Sequence, residues 1–357
     1  MVVLQMYNMK ISSYRTNYEV NFYDSQVNLN QWLDDSYVLI DSNVNRLYPH
    51  LTSKFETNRV IIIESTEDNK SLPFCQKIIT ILINSGIKRN HNLIAVGGGI
   101  VQDITGFISS VLFRGIEWVF YPTTLLSQSD SCIGSKTSIN FLNVKNSIGT
   151  FYPPKQINCC AEFLNTLTDS EIKSGIGEML HYYIYAGSDM ALKINEEYDS
   201  LFTKRSLLMP YIKESLSIKK ELIELDEFDT DLRRVFNYGH TFGHAIETLS
   251  DYEIPHGQAV TLGMDLANYI SWKLGFLTTE KFYFMNRILL KNMPKFSITN
   301  EQISKYMEYL SKDKKNIEKT IVCILASDFG KLFVHPIKNK MDLRNLILKY
   351  FAETRYD

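Results

Sequence analysis

The chain has 357 residues and a formal net charge of −2; 45% of the residues are hydrophobic and 22% are charged. This is the composition of an ordinary globular protein, and the length suits two domains or one large one. The near-neutral charge gives no reason to expect nucleic acid or an acidic membrane surface as a partner.

The cysteines and the distribution of apolar residues indicate in which cellular compartment the protein is expected. The five cysteines are an odd number and include no C-x-x-C pair, so we expect reduced, partly buried thiols. No stretch approaches 18 consecutive apolar residues, and residues 1–15 have no apolar run long enough for a signal peptide. The sequence therefore predicts a cytoplasmic protein without a membrane span.

The first half of the chain alternates short β-branched runs with helical patterns. A helical period over residues 76–85 separates two of these runs. Strand–helix–strand rhythm predicts a parallel sheet with crossover helices, and such sheets bind ligands at the carboxyl ends of their strands. The predicted strands are residues 37–40, 60–63, 92–96 and 118–121.

Helical periods dominate the second half, and residues 321–325 are the exception that predicts a strand. The helix-hostile segment Tyr152-Pro153-Pro154 precedes the change. We predict an α/β nucleotide-binding domain over residues 1–165 and a mostly α-helical domain over 166–357. The predicted helices of the second domain are residues 169–185, 210–226, 241–249, 259–274 and 301–310.

Three consecutive glycines, Gly97, Gly98 and Gly99, follow the strand at 92–96 and precede a helical run at 100–112. This layout allows backbone N–H groups and a helix N-terminus to approach a phosphate. It is not the G-x-G-x-x-G dinucleotide fingerprint, so the spacing alone is equally consistent with an ordinary tight turn.

A histidine cluster indicates a metal site. His240 and His244 are four residues apart and share one helix face, and His256 follows at the start of another apolar helical run. Glu178 lies upstream on a predicted helix with glycines beside it. One carboxylate and two imidazoles with an open position are typical of catalytic zinc, although histidines at this spacing can also simply bond their neighbours.

The segment from Asp130 to Asn146 is a predicted polar loop that carries two lysines, Lys136 and Lys145, among glycines and amides. Lysine binds phosphate as a point charge, so the loop suits an anionic ligand. Each charged side chain taken singly is equally well explained as a solvated surface group.

Together these segments resemble the sugar-phosphate cyclase superfamily, whose best-known member is 3-dehydroquinate synthase. The matching pieces occur in family order over roughly residues 37–330 and are highly specific in combination. They are GGGIVQD, FRGIEWVFYPTTLLSQSDSCIGSKT, VKNSIGTFYPP, GIGEML, KKELIELDEFDTDLRRVFNYGHTFGHAIE and HGQAVTLGM.

The resemblance implies the family fold: an NAD-binding α/β domain with a parallel sheet, followed by a mostly α-helical metal-binding domain. Glu178, His240 and His256 correspond to ligands of Zn²⁺, with Co²⁺ as a substitute. Gly97, Gly98 and Gly99 correspond to the turn under the NAD pyrophosphate. The other NAD-contact positions are Asp41, Asn43, Glu67, Lys70, Asp103, Thr123 and Thr124.

The resemblance also implies a catalytic set and a homodimer, in which Arg114 reaches across to the partner subunit. Lys219 and Arg233 correspond to positions at the substrate carboxylate, which favours a heptulosonate substrate. The remaining catalytic positions are Asp130, Lys136, Lys145, Asn146, His181, Asn237, His244 and the segment Asp313-Lys314-Lys315, of which Lys314 is the principal candidate.

The implied activity is the conversion of 3-deoxy-arabino-heptulosonate 7-phosphate to 3-dehydroquinate with loss of phosphate, in the shikimate pathway of aromatic amino acid biosynthesis. Four residues depart from the family pattern: His181 replaces a lysine, Gln102 and Ser135 replace glycines, and Gln258 replaces a glutamate. The alternatives are a cyclase of the 2-deoxy-scyllo-inosose, 2-epi-5-epi-valiolone or amino-dehydroquinate synthase type, a metal-dependent alcohol or glycerol dehydrogenase, and a binding protein without catalysis.

Overall fold

The computed structural model describes residues 5–24, 27–142, 144–230, 232–311 and 320–353. The chain divides into two compact units. Unit 1 comprises Met1–Thr168, Lys204–Ile212 and Lys220–Phe228; unit 2 comprises Asp169–Thr203, Lys213–Lys219 and Asp229–Asp357. The boundary of folding domains after residue 165 stays a prediction.

Unit 1 is built around a β-sheet. Its helices are α1 (Ser42–Leu47), α2 (Leu72–Asn84) and α3 (Gly99–Val111). Its strands are β1 (Gln5–Ile11), β2 (Tyr18–Tyr23), β3 (Ser36–Asp41), β4 (Val60–Ile63), β5 (Asn92–Gly97), β6 (Trp118–Pro122), β7 (Lys136–Phe141), β8 (Val144–Phe151) and β9 (Gln156–Cys160).

The main sheet has seven strands in the order β1-β2-β9-β6-β5-β3-β4. All neighbouring pairs are parallel except β1 and β2. The strands β3, β5 and β6 are almost entirely buried, as expected for parallel strands covered on both faces. The four strands and the two helices predicted for this part of the chain are all present, so the α/β prediction is confirmed.

The segment predicted as a polar loop is instead an antiparallel hairpin of β7 and β8. Most residues of β8 are exposed, so the strand lacks the buried alternation that reveals a strand in a sequence. An isolated bridge between Ser71 and Asn140 joins β7 to the segment that precedes α2.

Unit 2 is mostly helical, as predicted. Its strands β10 (Ile321–Asp328) and β11 (Lys331–Ile337) form an antiparallel pair. Its helices are α4 (Asp169–Ala186), α5 (Met190–Glu196), α6 (Tyr198–Thr203), α8 (His240–Leu249), α9 (His256–Lys273), α10 (Thr279–Leu290), α11 (Ile303–Ser311) and α12 (Lys340–Glu353), while α7 (Leu208–Leu225) contributes residues to both units.

Helix α9 is the centre of unit 2 and packs against α4, α8, α10, α12 and β10. It is buried on nearly every side, including its polar residues Asp265 and Asn268. Asp265 accepts hydrogen bonds from Asn286 (2.9 Å) and Tyr350 (2.7 Å), so this buried carboxyl group is paired as buried polar groups must be. The surroundings of α9 are therefore fixed by both packing and polar contacts.

The five cysteines are free thiols and all are buried. Burial raises the pKa of Cys75 and of Cys323 to about 12, which makes these thiols unreactive near neutral pH. In the described residues we find no helix with the length and apolar character needed to span a bilayer.

Candidate active site

The residues predicted to bind NAD lie at the carboxyl edge of the unit 1 sheet. Asp41 ends β3, and its carboxylate caps α1 by accepting the N–H groups of Asn43 (2.8 Å) and Val44 (2.9 Å). Strand β4 pairs with one edge of β3 and the next strand, β5, pairs with the opposite edge, so the direction in which strands are added to the sheet reverses at β3. Such a reversal opens a crevice at the strand ends, the usual ligand position in open α/β sheets.

The glycine turn joins β5 to α3, with Gly98 immediately before the first helical residue, Gly99. A Cβ on Gly97 would lie 2.5 Å from Val101, and one on Gly98 would lie 3.1 Å from Thr124. A Cβ on Gly99 would meet only Ser131 Oγ, at 4.0 Å. Gly97 therefore has no room for a side chain and Gly98 is tightly packed, whereas Gly99 keeps open the approach to the first N–H groups of α3.

A polar network beside this turn joins four residues. Lys70 Nζ lies 2.5 Å from Asp103 Oδ2 and donates to Asn146 Oδ1 at 2.6 Å. Ser138 donates its N–H (2.8 Å) and its hydroxyl (3.3 Å) to Asp103, and the hydroxyl lies 3.0 Å from Asn146 Oδ1. Burial raises the pKa of Asp103, although Lys70 and Ser138 act in the opposite direction. The structure thus brings together Lys70, Asp103 and Asn146, which are far apart in sequence.

Three further predicted positions, Glu67, Thr123 and Thr124, attach to this network or to the strand ends. Asn140 donates to Glu67 Oε1 at 2.8 Å, and its Oδ1 accepts the N–H of Asn146 at 2.9 Å. Thr123 donates its N–H to Gly97 O at 3.0 Å, directly across the ends of β5 and β6. Thr124 bonds Ser127 at the start of the following helical turn. These contacts hold the loops at the carboxyl edge against one another.

Asp130 lies on a π-helical turn, Ser127–Ser131, and is partly buried. Gln102 fixes the end of this turn, because its amide nitrogen donates to Ser131 O (2.6 Å) and its amide oxygen accepts the Ser131 hydroxyl (2.7 Å). The side chain that replaces the family glycine at position 102 therefore has a structural role. Short π-helical segments frequently occur at functional sites.

The predicted basic residues of unit 1 are dispersed. Lys136 begins β7, whereas Lys145 follows the hairpin turn, so the two exposed lysines lie toward opposite ends of the hairpin. Arg114 lies in a strained turn: Phe113 (φ 51°), Arg114 (φ 67°) and Gly115 (φ 119°) all have positive φ. Positive φ in two consecutive non-glycine residues costs conformational energy, and backbone strain of this kind is commonly found at functional sites.

In unit 2, three helices bring the predicted metal ligands together. Glu178 is on α4, His240 is the first residue of α8, and His256 is the first residue of α9. Glu178 Oε1 lies 3.5 Å from His240 Nε2 and 3.0 Å from His256 Nε2. The ligand atoms of one carboxylate and two imidazoles therefore converge on one point.

The electrostatics of this cluster suit a cation. Glu178 is 2% exposed, and its Oε1 makes no hydrogen bond of good geometry among the described residues. Burial would raise the pKa of Glu178, but His240 and His256 outweigh it and hold that pKa well below its usual range. Burial would lower the pKa of His256, yet Glu178 and Glu247 raise it well above its usual value. A buried carboxylate facing two imidazole nitrogens fits Zn²⁺ or Co²⁺.

Glycines permit the close helix crossings behind the cluster. A Cβ on Gly257 of α9 would lie 1.8 Å from Ser174 O of α4, and one on Gly263 would lie 2.1 Å from Gly239 O before α8. Neither position can accept a side chain without moving a backbone. Since the ligands sit beside these crossings, the glycines set the distances between Glu178, His240 and His256.

Two other histidines border the cluster. One ring nitrogen from each of His240, His244 and His256 lies within 4.8 Å of the other two, and His244 is exposed. His181 is fully buried, and its ring contacts those of Tyr182, Phe236, Tyr238 and His240. The histidine that replaces the family lysine thus belongs to an aromatic cluster next to a predicted metal ligand.

Of the remaining predicted residues of unit 2, Lys219, Arg233 and Asn237 are among the described residues. Lys219 and Arg233 are each 6% exposed, which is unusual for long charged side chains. Asn237 donates to Arg234 O at 2.9 Å and lines a pocket of about 280 Å³, together with Asp229, Thr230, Arg234, Thr241, Val322 and Ile324. Lys314, with Asp313 and Lys315, lies outside the described residues.

The sequence interpretation missed two residues of these networks. Ser138 bridges Asp103 and Asn146, but nothing in its neighbourhood distinguishes it from other serines of the hairpin. Glu247 Oε2 lies 3.0 Å from His256 Nδ1. Glu247 is seven residues after His240, so the sequence alone could have placed it on the same helix face as the predicted ligand.

Comparison with known proteins gives one consistent family. Residues 60–174 match the family described as 3-dehydroquinate synthase N-terminal, and residues 175–316 match 3-dehydroquinate synthase C-terminal. The chain is similar to the 3-dehydroquinate synthase of Dictyoglomus turgidum, with 38% identity over 309 residues, covering 85% of this chain and 86% of the relative.

Solved structures share the fold. A 2-deoxy-scyllo-inosose synthase superposes with a TM-score of 0.82 at 22% identity, over 96% of this chain and 99% of the other. The 2-epi-5-epi-valiolone synthase of Streptomyces hygroscopicus, solved with NAD⁺ and Zn²⁺ bound, also gives 0.82 at 22% identity, over 96% and 98%. The fold is therefore that of the sugar-phosphate cyclases.

Proposed function

Because the chain belongs to the 3-dehydroquinate synthase family, we propose that it converts 3-deoxy-arabino-heptulosonate 7-phosphate to 3-dehydroquinate and releases phosphate. The observation that carries this proposal is the convergence of Glu178, His240 and His256, because the reaction needs a Lewis acid on the substrate alcohol oxygens. The buried pair of Lys219 and Arg233 in the same unit adds cationic groups that suit the substrate carboxylate.

NAD and a divalent metal ion, Zn²⁺ or Co²⁺, are the cofactors of this proposal. When bound, NAD would take a hydride from a secondary alcohol and later return it, while the metal would polarise the alcohol oxygens. Gly99 and the N-terminus of α3 would receive the pyrophosphate, with Asp41 and Thr123 at neighbouring strand ends. Glu178, His240 and His256 would hold the metal.

The other polar residues would bind and orient the substrate. Asn146 and one of the two hairpin lysines, Lys136 or Lys145, would donate to the phosphate in unit 1, since these lysines lie toward opposite ends of the hairpin. Lys314 is a further candidate from the sequence alone. In unit 2, His244 is exposed beside the ligand histidines, so its imidazole can accept a proton from a substrate hydroxyl and return it. Asn237 lines a pocket of the same unit and can donate to a substrate oxygen.

A substrate panel tests the proposed reaction. The purified protein with NAD⁺ and Zn²⁺ is incubated with the heptulosonate phosphate, its amino analogue, glucose 6-phosphate, sedoheptulose 7-phosphate and glycerol. We expect phosphate and 3-dehydroquinate from the heptulosonate alone, in equal amounts and without net NADH. Turnover of only a neutral sugar phosphate would identify a different cyclase, and net NADH from glycerol would identify a dehydrogenase.

The metal assignment has its own test. In His256→Ala, we expect bound zinc measured by mass spectrometry to fall from about one equivalent to near zero, and kcat to fall by more than about 1,000-fold. His50→Ala removes an exposed histidine of unit 1 and is the matched control. Full zinc content in His256→Ala would refute the ligand set.

A homodimer with Arg114 in the partner subunit's site completes the proposal. The strained turn at Phe113 and Arg114, with Phe113 39% exposed, supports a side chain that is held outward. Arg114→Ala and His256→Ala homodimers should both be inactive. After random subunit exchange, the mixed dimers should restore roughly a quarter of wild-type activity, because each has one complete site. No recovery would place Arg114 in its own subunit's site.

A further inference from the structure

The proposed metal centre does not explain one close contact. Glu247 Oε2 lies 3.0 Å from His256 Nδ1, and its side chain is only 14% exposed. On the other side of the same ring, His256 Nε2 lies 3.0 Å from Glu178 Oε1. A carboxylate oxygen therefore lies 3.0 Å from each nitrogen of one imidazole.

Helix geometry accounts for the contact. His240, His244 and Glu247 are at positions 0, 4 and 7 of α8 and share one face of it. Gly263 of α9 lies against the backbone at Gly239 and Gly243, which brings α8 close to α9. This face of α8 therefore meets His256 at the start of α9, and Glu247 reaches the ring from the side opposite Glu178.

We propose that Glu247 is a positioning residue for the metal centre. A carboxylate oxygen only accepts hydrogen bonds, so Glu247 requires the proton of His256 to reside on Nδ1. Nε2 then faces Glu178 and His240, where a bound metal ion would take the place of a proton, and the ring has the orientation that a metal ligand needs. Carboxylate partners of this kind also increase the basicity of the ligand.

The two ligand histidines differ in this respect. His240 Nδ1 is 3.3 Å from the backbone oxygen of Tyr238, a partner that side-chain substitution does not remove. The Tyr238 hydroxyl in turn donates to Asn268 Oδ1 at 2.5 Å. At Nδ1, His256 has a side-chain partner where His240 has a backbone one, so the contribution of the Glu247 contact can be measured by substitution.

The test measures Zn²⁺ affinity by chelator competition in the full-length protein. We expect Glu247→Ala to bind Zn²⁺ about 10- to 100-fold more weakly than the wild type. Glu247→Gln keeps a neutral acceptor of the same shape, so it should recover most of this loss. Glu253→Gln removes an exposed carboxylate three residues before His256 and should leave the affinity unchanged.

Two further readouts separate positioning from general stability. The visible absorption of bound Co²⁺ should change in Glu247→Ala and be largely restored in Glu247→Gln, whereas the Tm of the metal-free proteins should change little. Equal Zn²⁺ affinity in Glu247→Ala and Glu253→Gln would overturn the proposal. If Glu247→Ala does not fold, Glu247→Asp replaces it in the test, because the shorter carboxylate cannot reach His256. Wild-type Zn²⁺ affinity in Glu247→Asp would again overturn the proposal.

This inference rests on the proposed metal centre, but its failure can be distinguished from failure of the proposed reaction. Weaker Zn²⁺ binding in Glu247→Ala supports the positioning role even if the substrate panel identifies another sugar phosphate. Unchanged binding removes the role of Glu247 and leaves the heptulosonate reaction intact.

Discussion

The two units hold their predicted site residues by different physical means. In unit 1 these residues come from several short elements and their connections, and side-chain hydrogen bonds join them, such as those of Lys70, Asp103 of α3 and Ser138 of β7. In unit 2 the predicted metal ligands lie on packed helices, and the helix separation at glycine crossings decides whether they meet. A site joined by side-chain hydrogen bonds adapts to small changes by moving its side chains, whereas a site built on packed helices responds to a change in backbone distance.

The comparison predicts the largest effect for Gly257→Ala in unit 2. The added Cβ would lie 1.8 Å from Ser174 O, a backbone atom that cannot move without displacing α4. We expect a loss of about 3 kcal/mol or more in the free energy of unfolding, measured with urea, and loss of zinc binding in any folded protein.

Gly275→Asn is the matched control, because Gly275 follows the same helix, has φ of 82° and has open space around it. Asparagine tolerates this conformation, so stability and zinc content should remain close to wild type. A fully stable, zinc-binding Gly257→Ala would contradict the view that backbone contact sets the ligand distances.

Lys70→Met tests the corresponding support in unit 1. It leaves the largely buried Asp103 carboxylate without its cation, and we expect a loss of roughly 3 kcal/mol in the free energy of unfolding at pH 7. The pKa of Asp103 is already raised by burial and should rise further. The deficit relative to wild type should therefore shrink as the pH falls, since protonation of Asp103 removes the unpaired charge.

Urea unfolding between pH 4 and pH 8 measures this difference. Lys77→Met, which removes an exposed lysine of α2, is the control and should track the wild type across the range. A Lys70→Met deficit that grows on acidification would show that Asp103 is not the group responsible.

The two units also differ in how far the sequence predicted them. The strands β3 to β6 were predicted from short apolar, β-branched runs, and the helices α3, α4, α8 and α9 from longer stretches with apolar residues at helical spacing. The hairpin of β7 and β8 was not predicted, because β8 is mostly exposed and carries no such pattern. Residue type and spacing indicated a metal site near the histidines, and the resemblance supplied the predicted ligands Glu178, His240 and His256, which the structure brings together.

Contacts between elements could not be read from the sequence. The role of Gly257 depends on which helix crosses α9, and the pairing of Glu247 with His256 depends on the face that α8 presents to it. Likewise, Lys70 and Asp103 were both predicted near the nucleotide, but their ion pair requires the strand order β5-β3-β4. The sequence therefore predicted which residues belong to the site, whereas the partners that orient them depend on the strand order and on the packing of the helices.

Gly99→Ala sharpens the comparison, because a glycine of unit 1 should tolerate the substitution that Gly257 does not. The added Cβ meets only Ser131 Oγ at 4.0 Å, so the free energy of unfolding should stay within about 0.5 kcal/mol of wild type. The methyl group would nevertheless crowd a pyrophosphate at the start of α3. We expect NAD⁺ affinity, measured by calorimetry, to fall by roughly tenfold. Unchanged NAD⁺ binding would remove this turn from the cofactor site.

The smallest effect concerns Ser135, where the family has glycine. Ser135 has φ of 62°, and its hydroxyl donates to Glu227 at 2.9 Å; the same carboxylate accepts Ser13 Oγ (2.6 Å) and Tyr14 N (2.7 Å). Ser135→Gly relieves the strain but loses this bond, so the two effects should nearly cancel, within about 1 kcal/mol.

Ser135→Ala separates the two effects, because it loses the same hydrogen bond and keeps the positive φ. It should be less stable than Ser135→Gly by about 1 kcal/mol in urea unfolding. Equal stability of the two variants would mean that this turn relaxes around the side chain, as the backbone behind Gly257 cannot. The positive φ at position 135 would then cost little, because a small local movement of the backbone relieves it.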